Sequence, residues 1–197
     1  MVNIYMNREN LVKQFIEKFK GGNIVEIGTW KGDFADFLLS NSVDTTLYTI
    51  DPYIRYADFN DSCNDYVDDN LYNEVKLRLE QKFGDRIKLV RKPSFKAVDD
   101  IPNNIDFLYI DGNHKYKYVL KELELYYDKV KNGGVIIGDD AFDTDNIGRN
   151  SEGDKVIVHP NNWGYGAYGV VKAFEEFARS KKLNGRIVSG QYVLIKK

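Results

Sequence analysis

Three carboxylates stand where this chain could do chemistry: Asp111, and the adjacent pair Asp139 and Asp140. Each follows a short apolar run, IDFLYI before Asp111 and VIIG before the pair, with a segment of helical period between the two runs. Like charges brought together raise one another's pKa unless a cation neutralises them. Carboxylate oxygens, with no cysteine and only His114 nearby, suit a hard ion, so the expected partner is Mg2+ (or Mn2+ or Ca2+) rather than Zn2+. Successive strand side chains point to opposite faces, so Asp139 and Asp140 can share an ion only if the strand has already ended. The plainer alternative is that Asp111 and Asn113 cap the following helix while Asp139 and Asp140 are loop acids.

A βαβ unit would bring these acids together. The two runs read as buried strands, and Val119, Leu120, Leu123, Tyr126, Tyr127 and Val130 recur at three- to four-residue steps, predicting a helix that Gly133 and Gly134 would stop. Strands joined in this way lie parallel, about 4.8 Å apart, and finish on the same edge. Open α/β sheets bind their ligands at that edge.

Further candidates fall on the same edge. The stretch Glu26-Ile27-Gly28-Thr29-Trp30-Lys31-Gly32 follows a strand predicted at 24–27 and precedes a helix with Phe34, Phe37 and Leu38 inward. It fits neither the dinucleotide fingerprint nor the phosphate loop. Glu26 would oppose a pyrophosphate, which disfavours an NAD oxidoreductase, yet it suits a ligand carrying an ammonium or sulfonium group. Gly28 and Gly32 would let backbone approach such a ligand closely. Asp51 ends a second strand (47–50), 23 residues beyond Gly28, where an acid can accept ribose hydroxyls. The Asp51-Pro52 pair could equally be a strand-end turn. Ser94, after a third strand at 87–90, is either a helix N-cap or a group that reads an adenine.

The remaining sequence frames these positions. At 197 residues the chain is expected to be one domain over 1–197, with 43% hydrophobic and 29% charged residues as in ordinary globular proteins. A net charge of −2 with interspersed signs gives no electrostatic case for nucleic acid or an anionic membrane. Cys63 is the only cysteine, so no intrachain disulfide forms, and a reducing, cytoplasmic setting is the expectation. No stretch reaches membrane-spanning length, and no signal-peptide core opens the chain. Residues 7–20 read as an amphipathic helix within a covering segment, 1–22. Residues 53–70 are acid-rich (Asp58, Asp61, Asp65, Asp68 and Asp69 against Arg55) and read as a lid or as a surface insertion. Residues 141–167 have no sustained period and read as a substrate wall, with Trp163, Tyr165 and Tyr168 as stacking faces; His159 there is not expected to be catalytic. A helix at 170–181 and two strands about Gly190 close the chain.

The motifs VEIGTWKG (25–32), YTIDPY (48–53), DFLYIDGNHKY (106–116) and GGVIIGDD (133–140) occur in an order that resembles the class I S-adenosylmethionine-dependent methyltransferases. The likeness is greatest to the small metal-dependent O-methyltransferases, which include catechol-type and sugar-modifying enzymes and cephalosporin-hydroxylase-like proteins. The resemblance implies a Rossmann-like, doubly wound α/β fold: a mostly parallel seven-stranded sheet, helices on both faces and an antiparallel C-terminal strand. It implies Mg2+ held by Asp111, Asp139 and Asp140, and S-adenosylmethionine held by Glu26, Gly28, Thr29, Gly32, Asp51, Pro52, Ser94, Phe95 and Asp111. Catechol-type enzymes carry a lysine base three residues past the first acid; this chain has His114 there, whose side chain titrates near neutrality. The Asp-Asp pair, where the catechol type usually has Asp-Asn, points to a hydroxyl of a sugar or other vicinal diol as acceptor, with a polyphenol as the other choice. A repurposed, hydroxylase-like or non-catalytic cofactor-binding relative is the alternative. Oligomeric state is left open, a homo-oligomer included.

Overall fold

A computed structural model describes residues 7–56, 62–141, 147–149, 155–158, 165–166 and 168–197. Helix α1 (Arg8–Ile16) is capped by the Asn7 side chain, which accepts from the Asn10 amide at 2.8 Å. It ends four residues short of the expected boundary at residue 20. Strand β1 (Asn23–Ile27) and helix α2 (Asp33–Ser40) follow, then β2 (Thr46–Ile50), a 3-10 turn (Ser62–Tyr66), α3 (Asp69–Phe83) and β3 (Ile87–Val90). A short α4 (Ser94–Ala97) leads to β4 (Ile105–Ile110), α5 (Tyr116–Tyr126) and β5 (Val130–Gly138).

The helix stop expected at Gly133 and Gly134 is a correction. Helix α5 ends at Tyr126, a 3-10 turn covers Tyr127–Lys129, and Val130 already belongs to β5, opposite Ile105 of β4. The two glycines form an irregularity inside the strand: the β4–β5 register shifts between Ile105 and Phe107, and the Gly133 amide donates to the Lys196 carbonyl at 2.8 Å. Helical spacing carried Val130 into the wrong element because a buried position looks the same from either side of a boundary.

Residues 141–167 also differ from a structureless wall. Within them, β6 (Ile147–Arg149), β7 (Lys155–Val158) and β8 (Tyr165–Gly166) pair as a three-stranded antiparallel sheet. His159, Trp163, Asp58 and Asp61 lie outside the described residues, as do the side chains of Tyr165 and Tyr168. The chain closes with α6 (Tyr168–Ser180), β9 (Gly185–Val188) and β10 (Gln191–Ile195), the last two joined through Ser189 and Gly190, both at positive φ.

The seven-stranded sheet runs β3-β2-β1-β4-β5-β10-β9, with β1 to β5 parallel, β10 antiparallel to β5, and β9 antiparallel to β10. Alternate strand residues feed two cores, as period-2 side chains must. Val25, Ile27, Leu108, Ile110 and Ile136 face α5 and α6, whereas Ile24, Phe107, Tyr109, Val135 and Ile137 face α1, α2 and α3. Strands buried on both faces read as continuous apolar runs, which is why IDFLYI showed no alternation. The strand order reverses between β1 and β4, so helices leave opposite faces there and a crevice opens at the carboxyl ends.

Candidate functional site

Chain geometry at this switch point is set by Gly28. Its amide donates to the Ile50 carbonyl (2.9 Å), and the Asp111 amide donates to the Ile27 carbonyl (2.8 Å), drawing the ends of β1, β2 and β4 together. Gly28 has φ of +100°, and a Cβ there would collide with the Asp111 carbonyl. No other residue type allows that approach. Gly32 plays a different part from the expected close contact with a ligand: a Cβ there would lie 2.8 Å from Val75 of α3, so this glycine lets α3 pack against the turn, and it does not line the cavity.

Over the ends of β1, β2 and β4 lies a cavity of about 310 Å3. Gly28, Asp51, Pro52, Ser94, Phe95 and Asp111 all line it, with Ile54, Tyr56, Cys63, Asn64 and Val67 from the 53–70 segment as an outer wall. That segment is folded back on itself, the Tyr56 amide and carbonyl each meeting the Asn64 side chain at 2.9 Å. Asp51 holds the turn rather than pointing free: one carboxylate oxygen accepts from the Thr29 (3.1 Å) and Trp30 (2.9 Å) amides, the other from the Tyr53 amide (2.8 Å). Burial raises its pKa, partly offset by those three amides. Thr29 and Glu26 sit beneath the floor. Glu26 is 1% exposed and accepts a hydrogen bond from the Thr49 hydroxyl, which also lies 2.5 Å from that of Thr29; burial pushes the Glu26 carboxyl up to about 8, against the Thr49 bond.

The acid cluster adjoins this cavity at Asp111. Strand β5 has ended at Gly138, which meets the condition for Asp139 and Asp140 to turn to one place; Asp140 takes φ of +56°. Each ring nitrogen of His114 meets an acid, Nε2 facing Asp111 at 3.2 Å and Nδ1 facing Asp140 at 3.1 Å. The Arg8 guanidinium, from the first turn of α1, lies 2.6 Å from Asp139 and 3.5 Å from Asp111. The second Asp139 oxygen accepts from the Gln191 amide and the Asp140 backbone amide, and Gln191 in turn accepts from Tyr109 at 2.7 Å.

Charge states follow from this wiring. Burial would raise Asp139, but Arg8 and the Gln191 hydrogen bond outweigh it and lower the pKa. Asp111 goes the other way, to about 7, raised by burial and by the Asp139 charge against His114 and Arg8. Burial lowers the His114 pKa, but the hydrogen bond to Asp111 and the charges of Asp111, Asp140 and Asp139 outweigh it, raising it to about 9. The donors are of the hard type a divalent ion prefers. Their arrangement does not fit one: Asp139 is committed to Arg8 and Gln191, Asp111 and Asp140 to His114, and among the described residues no three acids, histidines or cysteines are placed as a metal site. In this geometry the cations that neutralise the acids are side chains, Arg8 and His114.

Three residues here escaped the sequence reading. Arg8 and Gln191 are remote in sequence from the acids they hold, and no motif links them. Glu122 sits on a helix face otherwise read as apolar, and only its break in that stripe could have marked it; it is 5% exposed and lines the cavity.

Comparison with known proteins agrees with this architecture. A family model described as a methyltransferase domain matches residues 25–141. An uncharacterised protein of Acanthamoeba polyphaga mimivirus is 34% identical over 125 residues, 60% of this chain; the chain spans about half (51%) of that relative's length. Among solved structures, a Staphylococcus aureus protein assigned as a caffeoyl-CoA O-methyltransferase is 20% identical with a TM-score of 0.66, covering 96% of this chain and 82% of that one. A Podospora anserina methyltransferase solved with S-adenosylhomocysteine gives 15% and 0.64, covering 96% and 78%. TomG from Streptomyces achromogenes, an O-methyltransferase of tomaymycin synthesis solved with S-adenosylmethionine, gives 14% and 0.56, covering 96% and 80%. At these identities the solved structures establish a common fold. No helix among the described residues is long and apolar enough to cross a membrane.

Proposed function

Since the chain belongs to the methyltransferase-domain family, we propose that it transfers the methyl group of S-adenosylmethionine to a hydroxyl oxygen of a small molecule, a sugar or another vicinal diol. The observation that carries this reading is that Asp111 belongs to both the cavity and the acid cluster, so a sulfonium held along Gly28 would face the acids. Opposite charge there favours the cationic cofactor over its neutral thioether product. In the transfer, the acceptor oxygen attacks the methyl carbon, the carbon–sulfur pair passes to sulfur, and the hydroxyl proton leaves to a base. His114 is the proposed base: its Nε2 proton first passes to Asp111, whose carboxyl is raised to about 7, and the freed nitrogen then takes the hydroxyl proton. Holding both reactants in line supplies much of the rate. Asp51 and Pro52 would flank the ribose, Ser94 and Phe95 the adenine; Glu26 and Thr29 support the floor from beneath.

Metal dependence is a second reading, supported by donor type alone: Asp111, Asp139 and Asp140 would hold a divalent ion only after Arg8 withdrew. Such an ion supplies Lewis acidity toward a hydroxyl. The test of the main reading is transfer of labelled methyl from S-adenosylmethionine across a panel of sugars and polyphenols. Labelled product is expected for a diol, and methylation of none of them would overturn the acceptor assignment.

A further inference from the structure

Glu122 carries an unexplained feature. Its Oε1 accepts from the Ser94 hydroxyl at 2.6 Å, yet Oε2 is the one buried side-chain nitrogen or oxygen among the described residues with no hydrogen-bond partner. A buried polar atom without a partner is costly, and native structures keep few of them. Here the residue lines the cavity beside Pro93, Ser94, Phe95 and Tyr118, with its other oxygen, Oε1, near Gly112, the residue that follows Asp111. The mount is rigid: Tyr126 donates to the Ser94 carbonyl at 2.7 Å, tying α4 to α5, so the Ser94 hydroxyl and the Glu122 carboxyl are held as a pair.

We infer that Glu122 is the residue that selects the base of the cofactor, its Oε2 accepting a hydrogen from the exocyclic amine of adenine while Ser94 holds the carboxyl in place. This deepens the proposed cofactor reading and rests on it. The chemistry is selective because that amine is adenine's one strong donor. A 6-oxo purine presents a carbonyl oxygen at the same edge, and two acceptors would face each other. The role expected of Ser94, reading the base itself, passes to its partner, since the serine proton is already given to Glu122.

Calorimetric titration of the full chain with S-adenosylhomocysteine and with its 6-oxo analogue, S-inosylhomocysteine, tests this. Wild type is expected to prefer the amino compound by about 10- to 100-fold, the range of one hydrogen bond to a charged group. Glu122→Gln presents either an amide oxygen or an amide NH2 at the same position, so the preference should collapse to a few-fold. Ser94→Ala, which keeps the carboxyl but removes its holder, should fall between. The ratio of two affinities on one variant cancels any change in the folded fraction. If Glu122→Gln keeps the wild-type ratio, or wild type binds both compounds equally, Glu122 does not read the base, although the cofactor reading stands. If wild type binds neither, the cofactor reading itself fails and this inference goes with it.

Discussion

The two halves of the site are built in opposite ways. Over β1 and β2, backbone does the work: the Gly28 turn, three amides gathered on Asp51, and a mostly apolar wall enclose the cavity. Over the ends of β4 and β5, side chains do it: three acids are balanced by Arg8 and His114, with Gln191 and Tyr109 behind them. A site shaped by backbone is preformed and carries its signature in glycines and strand ends. A site shaped by charge depends on residues from α1 and β10 that arrive only when the whole domain has folded. The first half is suited to a ligand of fixed shape, the second to proton movement and an acceptor.

The largest effect should come from the charged half. His114→Ala is expected to slow methyl transfer by roughly 100- to 10,000-fold, the usual range for a general base, with S-adenosylhomocysteine affinity nearly unchanged. Single-turnover rates beside calorimetry check this, and an equal loss in rate and affinity would erase the division between the halves.

Arg8→Ala is a smaller perturbation that sharpens the comparison. Arg8 is 40% exposed, so solvent screens much of its pairing, and the stability lost should be about 1 kcal/mol. The variant leaves Asp139 and Asp111 without that cation. Millimolar Mg2+ should then raise its melting temperature while leaving wild type unmoved. Equal stabilisation of both proteins would show that Arg8 does not stand in an ion's place.

A further effect, seen only as a dependence on pH, belongs to the cavity half. Glu122 and Glu26, raised from 4.5 to about 7 and about 8, bind their protons more tightly folded than unfolded. Their contribution is therefore fully present below pH 4.5 and is lost as pH rises through 7 and 8. Glu122→Gln should flatten part of that decline, changing the difference from wild type by on the order of 1–3 kcal/mol between those limits. Urea unfolding across pH measures it, and parallel curves for the two proteins would contradict it.

The sequence disclosed these halves unequally, and the reason is physical. Strand ends, the Gly28 turn and the βαβ order follow from local patterns, so the parallel sheet and the edge where its strands end were legible, while the antiparallel ending came from the family resemblance. Asp111, Asp139 and Asp140 could be placed together because parallel strands share an edge. What neutralises them could not, because Arg8 lies more than a hundred residues from its partners and looks like any exposed cation on a helix. The helix contact that Gly32 spares could not be read either, because a glycine that spares a helix looks the same in sequence as one that spares a ligand. Glu122 was hidden because a buried acid on an apolar face carries no spacing signature, only a charge out of place.

The account turns on the cavity over β1, β2 and β4 holding the cofactor with its sulfur toward Asp111. A crystal structure with S-adenosylhomocysteine tests this most directly. The account predicts the ribose beside Asp51, the adenine between Phe95 and Glu122, and the sulfur at the Asp111 end. Ligand bound elsewhere, or bound in this cavity with its sulfur turned toward Ser94, would contradict it.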